Sequence, residues 1–198
     1  MGPIPRIKTE RLLLRPFCLY DVKPYFALIT DPNVLQGTDM PHELEEGTIR
    51  EWIIGHSDFW QRRRELFLLA TNLETREIVG SVSLFTYDRH NKADLGYWIA
   101  YKEWGKGYAT EATRAVVKFA FRTMKLHRLE ANHLVRNPSS GNVLTKIGFQ
   151  YEGMSRDSYL KDGVYEDLKF YGMLEEDFMK MYGEEVVDNP EEGKKEEK

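Results

Sequence analysis

This chain of 198 residues has little or nothing of three features that would each indicate a class of protein: cysteine, a long apolar run and a signal peptide. It has a single cysteine, Cys18, which excludes an internal disulfide and fits a reducing compartment. No apolar run approaches the roughly 18 residues that a membrane helix needs. The start, MGPIPRIKTERLLLRPF, contains no apolar signal-peptide stretch. We therefore expect a soluble, cytoplasmic protein that does not act on a membrane.

Charge and histidine placement argue against two further classes. The net charge of −4 gives no overall nucleic-acid signature, so we expect no direct nucleic-acid partner. His42, His56 and His90 have no cysteine or histidine neighbours at metal-ligand spacing, and we expect no metal site. The oligomeric state stays open, with a homodimer among the options.

The hydrophobic pattern indicates one α/β domain, residues 1–183, followed by a charged tail, 184–198. The predicted order is β-α-α-β-β-β-α-β-α-β-β with a short closing helix, which gives a mixed sheet flanked by helices. RLLLRPF is the first strand, Asp21 is expected to cap the first helix, and a second helix fits about Glu45 to Arg64. The last fifteen residues carry ten charges and no aromatic residue, so we expect them to be disordered.

The stretch YWIAYKEWGKGYATEA, which starts at Tyr97, predicts a strand, a glycine turn and the start of a helix. A P-loop is excluded because no Gly-Lys-Ser/Thr follows, and a dinucleotide turn is a poor match because Thr110 replaces the third small residue. A tight turn without a ligand stays open. The unpaired N–H groups of a first helical turn and the missing side chains of Gly105 and Gly107 favour an anion instead, such as a pyrophosphate.

Four stretches together carry a family resemblance. KEWGKGYA resembles the pattern (Gln/Arg)-x-x-Gly-x-Gly/Ala, with lysine in the first position. NPSSGNVLTKIGFQYEG fits Asn-x-x-Ser-x-x-x-Leu-x-(Lys/Arg)-x-Gly-Phe-x-x-Glu-Gly, and TERLLLRPF and YLKDGVYEDLKFYGML are similar to the first strand and the final hairpin of the same proteins. Over residues 7–182 the chain thus resembles the GNAT acetyltransferase superfamily. Within it, the chain resembles the RimJ/RimL branch, which acetylates protein N-termini, notably of ribosomal proteins. The resemblance implies a central, twisted, mostly antiparallel sheet with splayed strands, flanked by about four helices.

The resemblance also implies a cofactor, acetyl-coenzyme A, and the residues that bind it. The turn would anchor the pyrophosphate through Lys102, Gly105, Lys106, Gly107, Tyr108, Ala109 and Thr110. The pantetheine arm would contact the strand backbone at Trp98, Ile99 and Ala100, and the side chains of Asn137 and Asn142. A backbone N–H near Ile99 would stabilise negative charge that develops on the thioester oxygen.

Two residues are the implied catalytic groups. Ser140 would protonate the leaving thiolate; the alternative is a hydrogen bond at the helix start. Glu130 would be the general base, with a pKa raised by burial; the alternative is a strand glutamate paired with a cation. Leu144 stands where many other GNAT enzymes carry a tyrosine that acts as the acid, so that acid is absent. Tyr159 stands where RimL-like proteins carry a glutamate, which removes one candidate base and leaves the base open.

The resulting prediction is an N-acetyltransferase that moves acetyl from acetyl-CoA to a primary amine by direct attack on the thioester. The expected acceptor is the α-amine of a protein N-terminus, of the ribosomal-protein type. Two alternatives stay open. One is a small amine acceptor, such as a polyamine or an aminoglycoside, and the other is a catalytically weak acyl-CoA-binding module with a regulatory role.

Overall fold

Eight strands form one open sheet in the computed structural model, which describes residues 2–41, 43–62 and 64–183. The strands are β1 (Ile7–Lys8), β2 (Leu12–Arg15), β3 (Glu65–Asn72), β4 (Ile78–Tyr87), β5 (Lys92–Ile99), β6 (Arg128–Leu134), β7 (Gln150–Lys161) and β8 (Val164–Leu174). Their order in the sheet is β1-β2-β3-β4-β5-β6-β8-β7, and every neighbouring pair except β5–β6 is antiparallel. The predicted mixed, mostly antiparallel sheet is confirmed. His42 and the tail 184–198 lie outside the described residues, so the prediction of a disordered tail stays a prediction.

Six α-helices flank this sheet in the described part of the chain, where about four were expected. They are α1 (Val22–Ile29), α2 (Pro32–Gly37), α3 (Glu46–Gln61), α4 (Tyr108–Arg122), α5 (Pro138–Lys146) and α6 (Glu175–Tyr182). The short helix α2 lies between the two helices predicted at the start of the chain and was not expected. Asp31 begins α2: its Oδ1 accepts a hydrogen bond from Asn33 N at 2.8 Å, and Pro32 fits the first helical position. Within the same described part, no helix is both long and apolar enough to cross a membrane.

Asp21 does not cap α1 with its side chain, contrary to the prediction. Its carboxylate accepts two hydrogen bonds from the Arg15 guanidinium, at 2.7 Å each, and one from Cys18 N at 2.8 Å. Asp21 is buried, so this bidentate ion pair fixes the connection from β2 to α1 rather than the helix end.

Residues of β5 alternate between two hydrophobic cores, one on each face of the sheet. Leu95 and Ile99 pack in the core that contains α4 and α5, and Trp98 packs in the core that contains α1 and α3. Because successive strand side chains point to opposite faces, Asp94 and Gly96 lie on the α1–α3 face with Trp98.

The parallel pair β5–β6 is short. Residues 92–94 pair with 128–130, and the two strands diverge beyond Asp94. The same part of β5 stays paired with β4 through Ile99, opposite Gly80. One edge of β5 is therefore open along its second half, which is the splay expected from the resemblance.

Candidate active site

A cleft of about 670 Å³ opens where β5 and β6 diverge. Its walls come from β5, β6, the turn after β5, the first turns of α4 and α5, the end of α2 and strand β7. Most of the predicted site residues line it: Trp98, Ile99, Gly105, Gly107, Tyr108, Ala109, Thr110, Asn137, Ser140 and Asn142. The sequence-predicted residues thus converge on one cavity from three separate segments of the chain.

The open edge of β5 presents backbone groups to this cleft. Ala100 N donates to Val79 O at 2.8 Å, so Ala100 and Trp98 direct their backbone groups toward β4. In an antiparallel strand the direction alternates, and Tyr97 and Ile99 therefore direct their N–H groups into the gap. The Trp104 indole N–H donates to Ile99 O at 2.7 Å, which leaves the Ile99 N–H as the free group at that position. The Ile99 N–H is therefore the backbone donor at the position where the resemblance implies a group that stabilises negative charge on the thioester oxygen.

The glycine turn holds a conformation that favours glycine. Gly105 has φ of 76° and Gly107 has φ of 83°, both in the left-handed region. The first backbone hydrogen bond of α4 runs from Glu111 N to Gly107 O, at 3.1 Å. The N–H groups of 108–110 precede that bond and have no partner within the helix, so they are available to an anion in the cleft.

Three predicted cofactor residues, Ala100, Lys102 and Lys106, do not line the cleft. Both backbone groups of Ala100 are bonded within the protein, to Val79 and Glu103. Lys102 Nζ pairs with Glu77 at 2.8 Å and Lys106 Nζ pairs with Glu103 at 3.0 Å. Lys102 is thus held by an exposed glutamate away from the cleft, and Lys106 is bound to Glu103, a largely buried side chain at the cleft wall.

Ser140 lies in the cleft against Tyr97, a strand residue that was not among the predicted site residues. Ser140 Oγ is 2.8 Å from the hydroxyl of Tyr97, which also donates to Ser140 O at 2.9 Å. Burial raises the pKa of Tyr97 to about 12, so this phenol stays protonated at neutral pH. Strand alternation places Tyr97 on the α5 face, and that pattern was the available signal for the pair.

Asn137 uses both ends of its side-chain amide within the protein. Its Oδ1 caps α5 by accepting from Ser140 N at 3.3 Å, and its Nδ2 donates to Gly37 O at 2.8 Å. Asn137 thus ties the start of α5 to the end of α2 across the cleft. Asn142 lines the cleft as an exposed side chain on the next turn of α5.

Glu130 does not have the properties expected of a base. It does not line the cleft, and it bonds to Lys92 and to Arg128, whose Nε donates at 2.8 Å. Burial alone would raise the pKa of Glu130, but the hydrogen bonds from these two cations outweigh it and lower the pKa. The expectation of a pKa raised by burial was wrong, and the alternative of a cation-paired strand glutamate is what the structure shows.

A different carboxylate, Asp94, faces the cleft and was missed by the sequence analysis. It is half-buried at the last position of β5 that pairs with β6, opposite Glu130. Burial and the negative charge of Glu130 raise the pKa of Asp94, although the Tyr87 hydroxyl donates to it at 2.9 Å. Strand alternation places Asp94 on the same face of β5 as Gly96, two residues later, and this pattern was the sequence signal that could have identified Asp94 as a site residue.

Tyr159, at the position where RimL-like proteins carry a glutamate, lines the cleft and has a structural partner. Its hydroxyl donates to Asp39 O at 2.7 Å, and Asp39 also lines the cleft. Tyr159 therefore fixes the loop after α2 at the wall of the cavity instead of supplying a carboxylate.

Comparison with known proteins identifies the family. Residues 11–150 match the model of the acetyltransferase (GNAT) domain. The chain belongs to the GNAT acetyltransferase family. It is 27% identical to the uncharacterized N-acetyltransferase YoaA of Bacillus subtilis, over 86% of this chain and 97% of that protein. It is 35% identical to the ribosomal protein uS5-alanine N-acetyltransferase of Escherichia coli, over 48% of this chain and 50% of that enzyme.

The GNAT fold is also shared with a solved structure, the spermidine N-acetyltransferase of Vibrio cholerae in complex with CoA and spermine. The TM-score is 0.77 at 20% identity, over 86% of this chain and 99% of that chain. This GNAT protein is therefore an acetyl-CoA-dependent N-acyltransferase, and the predicted fold, cofactor and reaction class are confirmed. In the part of the chain that the structure describes, no group of three histidine, cysteine or acidic residues could hold a metal.

Proposed function

We propose that this GNAT enzyme acetylates the α-amine of a protein N-terminus, of the ribosomal-protein type. The observation that carries the proposal is the 35% identity to the uS5-alanine N-acetyltransferase of E. coli. An α-ammonium group is a cation near neutral pH, and the cleft suits one. Its charged lining residues are three acids and one lysine: Asp39, Asp94, Glu103 and Lys146.

We also propose how the cleft holds the cofactor. The N–H groups of the turn and of the first helical turn bind the pyrophosphate, from Gly105 to Thr110. The open edge of β5 pairs with the pantetheine amides, and the Ile99 N–H donates to the thioester oxygen. The acidic partners of Lys102 and Lys106 leave those lysines only a long-range electrostatic contribution. When bound, acetyl-CoA supplies the thioester carbonyl that a neutral amine attacks.

The reaction includes two proton transfers, one from the acceptor ammonium and one to the departing thiolate, and two groups of the cleft are placed to carry them out. Asp94 accepts the proton that the acceptor ammonium must lose, because it is the lining carboxylate whose pKa is raised. Ser140, hydrogen-bonded to the protonated Tyr97 hydroxyl, donates toward the departing thiolate. The two groups extend from opposite sides of the cleft, one on β5 and one on α5.

An acceptor screen read by thiol release tests the acceptor class. Acetyl-CoA is supplied with peptides that end in a free α-amine, and the matched control is the same peptides with an acetylated N-terminus and intact lysine side chains. We expect free thiol with the unblocked peptides alone. Equal release from blocked peptides would mean that a side-chain amine is the acceptor and would contradict the proposal.

A small cationic amine is the second candidate, and the acidic lining of the cleft is the observation that favours it. The spermidine enzyme that shares the fold acts on such an amine. In the same screen, release with spermidine but with none of the peptides would favour this candidate over a protein N-terminus.

A matched pair of carboxamide variants tests the base. We expect Asp94→Asn to lower kcat by about 100-fold, the lower end of the usual contribution of general base catalysis. Glu130→Gln, one position across the ladder, should lower kcat far less because its carboxylate is committed to Lys92 and Arg128. A larger loss from Glu130→Gln than from Asp94→Asn would reverse the assignment.

A further inference from the structure

Arg11, directly before β2, contacts the glycine turn from outside the cleft. Its Nε donates to Glu111 Oε2 at 2.7 Å, and one terminal nitrogen donates to Lys106 O at 3.0 Å. The guanidinium carbon lies 4.5 Å from the centroid of the Tyr108 ring, which is stacking distance. One side chain thus holds both residues that flank Gly107.

Glu111 anchors this arginine firmly. Its other oxygen, Oε1, accepts from Thr9 Oγ1 at 2.6 Å and from Arg11 N at 2.8 Å. Burial would raise the pKa of Glu111, but the hydrogen bonds from Thr9 and Arg11 outweigh it and lower the pKa, so the carboxylate stays ionised. We call Arg11, Glu111 and the Lys106 carbonyl the Arg11 bracket.

The bracket determines which way one peptide of the turn faces. The described peptide bonds are all trans, and in a trans peptide the C=O and N–H groups point in opposite directions. With the Lys106 carbonyl directed at Arg11, the N–H of Gly107 points away from Arg11, and Gly107 lines the cleft. A rotated peptide would turn the carbonyl oxygen toward the anion and replace an attraction with a repulsion.

We propose that Arg11 is a positioning residue for cofactor binding, which turns the Lys106 carbonyl outward so that the Gly107 N–H faces the pyrophosphate. The proposal rests on the placement of the pyrophosphate at this turn. It does not depend on the acceptor, because the cofactor alone is the probe.

Three variants test the role by their dissociation constants for CoA, measured by calorimetry well below the unfolding temperature. We expect Arg11→Ala and Arg11→Lys each to weaken binding by about 10-fold, because a lysine keeps the charge but lacks the planar fork that holds Glu111 and the carbonyl together. The control is Arg62→Ala, an exposed arginine at the end of α3, which should change binding less than twofold. Wild-type binding by Arg11→Lys would show that the charge alone matters and would overturn the proposal. A lower unfolding midpoint of Arg11→Ala without weaker binding would also overturn it.

Two further measurements separate this proposal from the placement of the pyrophosphate. Dephospho-CoA keeps the pyrophosphate but lacks the 3′-phosphate, so Arg11→Ala should weaken its binding by the same factor. A loss seen with CoA alone would mean that Arg11 contacts the 3′-phosphate directly, against the proposal. The placement is tested at Gly105, which lines the cleft and where a Cβ would meet nothing within 4 Å, because a side chain at Gly107 would contact Arg11. Gly105→Glu should abolish binding by either compound. If Gly105→Glu binds normally, the placement itself fails; if it does not bind while Arg11→Ala binds normally, only the bracket fails.

Discussion

Gly141 in α5 packs directly against two side chains from the sheet, and replacing it with alanine should destabilise the protein. A Cβ at this position would lie 2.6 Å from His133 Nε2 and 2.7 Å from the Tyr171 hydroxyl. These two atoms are themselves in contact at 3.3 Å, and both residues are buried. A methyl group would therefore enter a space that a buried polar contact already occupies.

The expected magnitude follows from three contributions of known size. Alanine is better than glycine in a helix interior by about 1 kcal/mol, which would stabilise the variant. Forcing an additional group into a packed core costs about 1–3 kcal/mol. Separating His133 from Tyr171 costs a further ~0.5–1.5 kcal/mol. The unfavourable contributions win, and Gly141→Ala should lower the free energy of unfolding by about 2 kcal/mol.

Urea unfolding followed by circular dichroism measures this difference, with Gly47→Ala as the matched control. Gly47 is also helical, in the first turn of α3, but a Cβ there meets nothing within 4 Å. The control should gain up to ~1 kcal/mol from helix propensity alone. If Gly141→Ala is as stable as the wild type or more stable, the packing argument is wrong.

Three further predictions concern the cleft and its support. Ser140→Ala should lower kcat by about 10-fold with CoA affinity within twofold, since a thiolate leaves without much assistance; an unchanged kcat would remove Ser140 from the mechanism. Lys161→Met should lower the urea midpoint by an amount equivalent to about 3 kcal/mol, because the buried ammonium bonds three backbone carbonyls; an unchanged midpoint would contradict this. Burial among aromatic rings lowers the pKa of His56, so between that lowered pKa and about pH 6.5 the unfolded chain takes up this proton more readily than the folded chain. The free energy of unfolding should therefore decrease as the pH is lowered below 6.5, and His56 should contribute no pH dependence above about pH 7.5. Unfolding curves of His56→Leu measured at several pH values should lack this decrease.

The sequence predicted most of the fold because its signals there are local. Strand alternation and the glycine turn before Tyr108 each act within a few residues, and both features were found in their place. The prediction was wrong for Asp21, whose side chain could equally cap a helix or bind Arg15. Only the folded structure shows that the Asp21 carboxylate binds Arg15, which precedes it by six residues, and not the helix end.

Nine of the twelve predicted cofactor-binding residues line the cleft, but only one of the two predicted acid–base residues does, and the reason for the difference is physical. A phosphate site built from backbone N–H groups depends on chain conformation, which Gly105 and Gly107 encode directly. The role of a carboxylate depends on which cations contact it, and these can come from distant parts of the chain. Lys92 lies 38 residues from Glu130, yet the two side chains share a hydrogen bond.

The ladder between β5 and β6 separates the roles of its two carboxylates. Asp94 and Glu130 are opposite each other at the last position where β5 pairs with β6. Their negative charges repel each other, so the two carboxylates cannot be equally stable as anions. Both nearby cations, Lys92 and Arg128, bond to Glu130 and lower its pKa, whereas burial and the charge of Glu130 raise that of Asp94. Because the strands diverge just past this pair, the carboxylate with the raised pKa lines the cleft. Removing one cation should therefore act on both carboxylates: in Lys92→Met, Glu130 loses a hydrogen-bond partner and Asp94 loses the attraction of a cation that lowers its pKa, so the pKa of Asp94 rises further. The acidic limb of the pH–rate profile would move to higher pH, and a limb that stays in place would show that Lys92 does not influence the proposed base.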